Sequence, residues 1–152
     1  MSGADPALLQ RLQRWADGRA TLKDVRGYSE AQLHAVARMA SFFYAQGKLE
    51  EARTLFQGLY AVDPTEATYA RALAVLEQAT GNAAGALQAY DVALKVAPDD
   101  PLSLVGRAEV RLTQGQRQGA IDDLRRAQAL AEADSAVHRK ARALLRSLSR
   151  KP

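Results

Sequence analysis

Gln46-Gly47-Lys48-Leu49-Glu50-Glu51-Ala52 sets the pattern of the whole chain. The pattern returns as Thr80-Gly81-Asn82-Ala83-Ala84-Gly85-Ala86 and again as Gln114-Gly115-Gln116-Arg117-Gln118-Gly119-Ala120. Glycines and alanines both step by 34 residues, and a large apolar residue stands four places after each alanine: Phe56, Tyr90 and Leu124. Glycine just past a helix takes the left-handed conformation that ends it, at little steric cost. Alanine is small because two helices cross there. The apolar residue one turn on reaches the neighbouring helix.

A 34-residue period of helix, glycine turn and second helix is the tetratricopeptide spacing. The expected fold is all-α, with three such repeats in a right-handed superhelical stack, an N-terminal helix before them and a capping helix after. Asp5-Pro6 opens the first helix as cap and first helical residue, Leu8, Leu9, Leu12 and Trp15 give it an apolar stripe, and Gly18 ends it. Thr21 to Tyr28 reads as a short connector, and Ser29 with Gln32 forms a capping box for the next helix. Leu33, Val36, Met39, Ala40 and Phe43 are its expected buried stripe. Pro64 and Pro98 close repeats one and two, while Asp99-Asp100-Pro101 restarts a helix for repeat three. Asp134-Ser135 caps a last helix with Val137, Ala141, Leu144, Leu145 and Leu148 inside and Arg139, Arg142, Arg146 and Arg150 outside. Residues 1–28 thus read as N-terminal helix and connector, 29–135 as the repeats (about 33–66, 67–100 and 101–134), and 136–152 as the cap with a basic tail.

Composition excludes several classes of function. There is no cysteine, hence no disulfide framework and no thiol chemistry. Met1 to Trp15 carries no long apolar core and no run reaches about 18 apolar residues, so neither a secretory leader nor a membrane span is expected. Net charge is +4, yet six cations and no acid fall from Val137 onward, so the rest carries about −2. His34 and His138 lack the converging partners of a zinc site. Asp99-Asp100 is explained by capping, and Asp122-Asp123 is expected on a solvated helix face beside Arg125 and Arg126. Gly81 to Gly85 lacks the lysine and preceding strand of a phosphate loop. No enzyme, cofactor or metal is expected. The basic last helix has no interleaved aromatics, so neither a nucleic-acid partner nor membrane insertion is expected.

The stretch Ala20-Thr21-Leu22-Lys23-Asp24-Val25-Arg26-Gly27-Tyr28-Ser29, followed by Phe43 to Ala52 and Phe56 to Pro64, resembles the translocator chaperones of bacterial type III secretion, the SycD/LcrH type. The resemblance covers about residues 8 to 148. It implies a chaperone of the bacterial cytoplasm. Such a chaperone binds an extended segment of a hydrophobic translocator in the concave groove and keeps it soluble before export. Several members dimerise through the N-terminal helix region, for which Leu8, Leu9, Leu12 and Trp15 are the candidates here, the alternative being that this helix folds back on the first repeat, and some members pair with a transcription activator. The alternative function is a tetratricopeptide scaffold joining folded proteins.

First helices of the repeats line the concave face, which by position gives Ala37, Ser41 and Tyr44, then Arg71, Val75 and Gln78, then Val105, Glu109 and Leu112. Tyr44, Val75, Val105 and Leu112 are the expected apolar contacts. One variant of the fold clamps a C-terminal carboxylate with groove cations. The corresponding residues here, Ala37, Ser41, Val75, Val105 and Glu109, carry no positive charge.

Overall fold

The computed structural model describes residues 6–150, and side chains Leu8, Leu9 and Leu12 lie outside what it describes, as do Asp5 and Lys151. The described residues form nine helices and no strand. The chain divides into two compact units, Met1–Tyr69 and Ala70–Pro152.

In the first unit, α1 (Pro6–Ala16) is followed by α2 (Leu22–Arg26), α3 (Glu30–Ala45) and α4 (Leu49–Val62). The expected connector is thus itself a helix. Thr21 caps it reciprocally with Asp24 and Gly27 ends it at φ 71°. The Thr21 N–H donates to Asp24 at 2.8 Å, and that bond, with the hydroxyl's, holds the Asp24 carboxyl below its ordinary range. Lys23 reaches the Asp63 carboxylate at 3.4 Å, and Asp63 also accepts the Thr65 hydroxyl at 2.6 Å. The connector is therefore tied to the end of α4, just before Pro64. Ser29 and Gln32 form the expected capping box at the start of α3.

Leu33 and Ala40 of α3 are buried, as are Ala52, Phe56 and Leu59 of α4. Met39, expected in that stripe, is instead 53% exposed. At about 100° per residue it lies roughly 120° around the helix from Leu33, outside the arc that meets α4.

α5 (Ala67–Ala79) leads into the second unit, which continues with α6 (Ala83–Val96), α7 (Pro101–Thr113), α8 (Arg117–Leu130) and α9 (Ala136–Ser149). Ala74, Ala86, Tyr90 and Val110 make one core cluster. Leu94, Leu104, Val105, Ala108, Ala120, Leu124, Ala127 and Ala141 make another, with Leu112, Val137, Leu144, Leu145 and Leu148 packed on it. The apolar face of α9 is consumed in this way. A Cβ on Gly106 would stand 2.3 Å from the Tyr90 ring, so a larger residue there would exclude the tyrosine.

The quoted turn occurs three times with one geometry. Gly47, Gly81 and Gly115 have φ of 75°, 78° and 71°. The next N–H, of Lys48, Asn82 or Gln116, donates to the carbonyl five residues back at 2.9 Å each time. This bond occupies a carbonyl that the helix end leaves unpaired. The crossing alanines Ala52, Ala86 and Ala120 are each 0% exposed.

Asp123 corrects the expectation of a solvated carboxylate pair. Asp122 is exposed and accepts from Gln118, whereas Asp123 is 2% exposed. Arg107 grips both Asp123 oxygens, at 2.9 and 2.7 Å, and Arg111 adds a bond at 2.7 Å. Arg107 also pairs with Asp91 at 2.7 Å. The hydrogen bond to Asp123 outweighs burial and raises the Arg107 pKa still further above its ordinary value. The partners lie 16 and 12 residues away on α7, not beside Asp123 on its own helix.

Candidate functional site

In the first unit the predicted ligand residues Ala37, Ser41 and Tyr44 fall on one side of α3. Ala37 is half-buried, Ser41 exposed and Tyr44 40% exposed. The Tyr44 carbonyl accepts the Gly47 N–H at 2.9 Å, so the repeat turn fixes the backbone beneath the ring. The chain here offers an accessible aromatic ring above small residues. Such a surface takes an apolar or small side chain without displacing a charge.

The same unit exposes a second apolar surface. Phe42 is 58% exposed and, with Met39, stands on the side of α3 away from Tyr44. Between α3 and α4 opens an apolar cleft of about 340 Å³, lined by Tyr28, Leu33, Val36, Leu55, Leu59 and Val62 among others, with no carboxylate and no basic side chain in its lining. The leucine and valine spacing that builds this cleft is visible in the sequence, where it reads as core. The opening between the helices is what periodicity does not reveal.

In the second unit the six remaining residues separate into committed and available ones. Arg71 binds the Asp100 carboxylate at 2.5 Å. Asp100 also accepts the Ser103 hydroxyl at 2.5 Å and caps α7 through the N–H groups of Leu102 and Ser103. Burial pushes the Asp100 carboxyl upward, but the Ser103 hydroxyl and the Arg71 guanidinium together outweigh it and hold the group below its ordinary range. Glu109 is bound by Lys140 of α9 at 2.7 Å. Val105, expected to meet a ligand, is 3% exposed and packs in the core with Leu104 and Ala108. Its phase on α7 turns it toward that cluster. Val75 and Leu112 are half-buried, each packed against a core cluster with part of its surface open. Gln78 is exposed and accepts the Tyr90 hydroxyl at 3.1 Å. Ion pairs thus hold the charged members, while Val75, Gln78 and Leu112 remain for contact.

Trp15 of α1 is 50% exposed; its stripe partners Leu8, Leu9 and Leu12 lie outside the described side chains. No helix among the described residues is long and apolar enough to cross a membrane.

Known proteins share this architecture. The tetratricopeptide repeat family matches residues 38–101 and 69–137. Chaperone protein SicA of Salmonella typhimurium is 30% identical over 100 residues, 64% of this chain, and the chain spans 61% of that chaperone's length. A type III secretion complex from Aeromonas hydrophila is similar with a TM-score of 0.80 and 28% identity, covering 95% of this chain and 95% of that one. PcrH of Pseudomonas aeruginosa, solved in complex with the chaperone binding region of PopD, is similar with a TM-score of 0.74 and 28% identity, covering 81% of this chain and 95% of that one. The thrice-repeated glycine turn, the buried crossing alanines and the matched spans agree: this chain belongs to the tetratricopeptide repeat family.

Proposed function

We propose that this protein is a type III secretion chaperone that holds an extended, apolar, proline-containing segment of a hydrophobic translocator and keeps that translocator competent for export from the bacterial cytoplasm. The similarity to PcrH, whose structure contains the chaperone binding region of a partner, carries the reading most directly. The accessible residues support it. Tyr44 with Ser41 and Ala37 in one unit, and Val75, Gln78 and Leu112 in the other, offer apolar and neutral polar surface without a cationic clamp. An extended chain suits such surfaces because alternate side chains reach them while the backbone stays clear. Burying a few such side chains contributes about 1.5–3 kcal/mol each before ordering costs, which gives a complex that an export apparatus can strip.

The test is co-expression with a hydrophobic translocator, followed by affinity capture and circular dichroism. Tyr44→Ala and Ser41→Glu abolish capture with helicity intact, while Arg146→Ala leaves capture unchanged. Undiminished capture by both α3 variants would remove the translocator from that face and overturn the reading.

A second copy of the chain is the other partner we propose, through α1, on the strength of the half-exposed Trp15. Sedimentation of the full chain against one starting at Thr21 decides it, and a full chain that stays monomeric at high concentration refutes it.

A further inference from the structure

The last helix carries more charge than a cap requires, and of one sign only. Arg139, Arg142, Arg146 and Arg150 recur at spacings of three, four and four. At 3.6 residues per turn they occupy an arc of about 80° and a stripe about 16 Å long. Arg139, Arg146 and Arg150 are exposed and Arg142 is half-buried.

A capping helix needs a polar outer face, and mixed charges would supply it while stabilising the helix. Arginines three and four apart repel instead. Other helices mix signs, as in Glu50, Glu51 and Arg53 of α4 or Asp122 and Arg125 of α8, but no acid occurs from Val137 onward. Nearby acceptors are already used. Glu109 pairs with Lys140, on another side of α9. Arg139 donates to the Asp134 carbonyl, and Arg117 of α8 donates to the Leu148 carbonyl, adding a further guanidinium beside the end of the stripe. Among the described residues, Arg142, Arg146 and Arg150 meet no carboxylate.

The chemistry of the missing partner follows from what the helix has and lacks. Guanidinium forks match carboxylates and phosphates two bonds at a time, which an ammonium does not. The apolar face of α9 is packed on the core around Leu104, Leu124 and Ala141, so this helix cannot lay it into a bilayer. α9 carries no Phe, Tyr or Trp for a base to stack on, and its one imidazole, His138, is half-buried. We propose that this arginine stripe docks an acidic helical segment of a partner protein, with carboxylates at i, i+4 and i+8 facing Arg142, Arg146 and Arg150. The surface is separate from the residues proposed for the translocator, and the proposal does not rest on that function.

The probe is a labelled synthetic helix bearing glutamates at i, i+4 and i+8, titrated with the full chain and read by fluorescence anisotropy. A peptide of identical composition with its glutamates dispersed around the helix, a single-stranded oligonucleotide and phosphatidylglycerol vesicles form the other arms. The aligned peptide binds best, and the Arg142→Gln, Arg146→Gln, Arg150→Gln triple variant weakens it by about tenfold or more. That variant relieves repulsion within the helix and loses cations from its C-terminal turn, two effects of opposite sign, so its melting temperature stays within a few degrees of the parent, and translocator capture is unaffected. Equal binding of the dispersed peptide, unchanged binding by the triple variant, or tighter binding of the oligonucleotide or vesicles would overturn the proposal.

Discussion

Two adjacent aspartates in α8 should respond to the same substitution very differently, one with a large loss of stability and the other with almost none. Asp123→Ala removes a carboxylate that is 2% exposed and takes three hydrogen bonds from Arg107 and Arg111, whose side chains are 15% and 25% exposed. Breaking a buried pair by deleting one partner costs about 3–5 kcal/mol. Both arginines keep another acceptor, Asp91 at 2.7 Å and the Gly119 carbonyl at 3.1 Å, so the lower end applies. In a protein of this size about 3 kcal/mol lowers the melting temperature by roughly 6–12 °C. Asp122 is exposed and accepts a bond from Gln118, so Asp122→Ala stays within about 0.5 kcal/mol of the parent. The assay is thermal unfolding of both variants by circular dichroism in one buffer. Adding Arg107→Met and Arg111→Met to an Asp123→Leu background should recover much of the loss, because an apolar replacement leaves no unpaired charge. Superimposable melting curves for the two alanine variants would refute the assignment of Asp123 as the centre of the α7–α8 pairing.

Gly106→Ala should destabilise by about 1–3 kcal/mol, since the new methyl meets the Tyr90 ring at 2.3 Å and that tyrosine, 1% exposed, has no room to swing; a neutral melting curve would contradict the packing. Gly81→Val should cost about 1–2 kcal/mol in chemical denaturation, because φ 78° is a backbone that a branched side chain resists. Asp100 has a folded pKa below its unfolded one, so its contribution is complete above the ordinary carboxylate range of about 4 and is lost as pH falls through the lower folded value. Acid titration of stability should therefore flatten in Asp100→Asn, and an unchanged acid limb would discount the Arg71 and Ser103 bonds.

What was legible in the sequence is what local sterics dictate. Left-handed backbone at Gly47, Gly81 and Gly115 and zero clearance at Ala52, Ala86 and Ala120 are constraints on single residues, and they repeat at a fixed step. Capping at Ser29, Asp100 and Ser135 is readable for the same reason, because donor and acceptor lie within a few residues. The helix at Leu22–Arg26 is too short to show a period, although Thr21 and Asp24 already stood at capping-box spacing. Phase around a helix was less certain. Met39 reads as core from its apolar spacing and Val105 as groove from its repeat position, but α3 turns the first outward and α7 turns the second into the core. The partners of Asp123 are a full helix away, and only packing brings them together.

Charge placement joins the fold to the translocator faces and to the arginine stripe of α9. Where a cation of the second unit meets a carboxylate of that unit, it serves the repeats: Arg71 fixes the cap of α7, Arg107 and Arg111 pin α8, and Lys140 seats α9 against Glu109. Those pairs withdraw charge from the helix faces that carry Val75, Gln78 and Leu112, leaving contact surface on which a neutral segment meets little unpaired charge. Lys140 also takes Glu109, the carboxylate that meets α9, and the arginine stripe remains cationic. Salt should therefore separate the two surfaces. Raising ionic strength screens exposed charges over about 8–10 Å at physiological levels and over about 3 Å at 1 M, weakening the acidic peptide at α9 while leaving an apolar segment held or held more tightly. If both ligands weaken in parallel as salt rises, the apolar reading of the translocator faces is wrong.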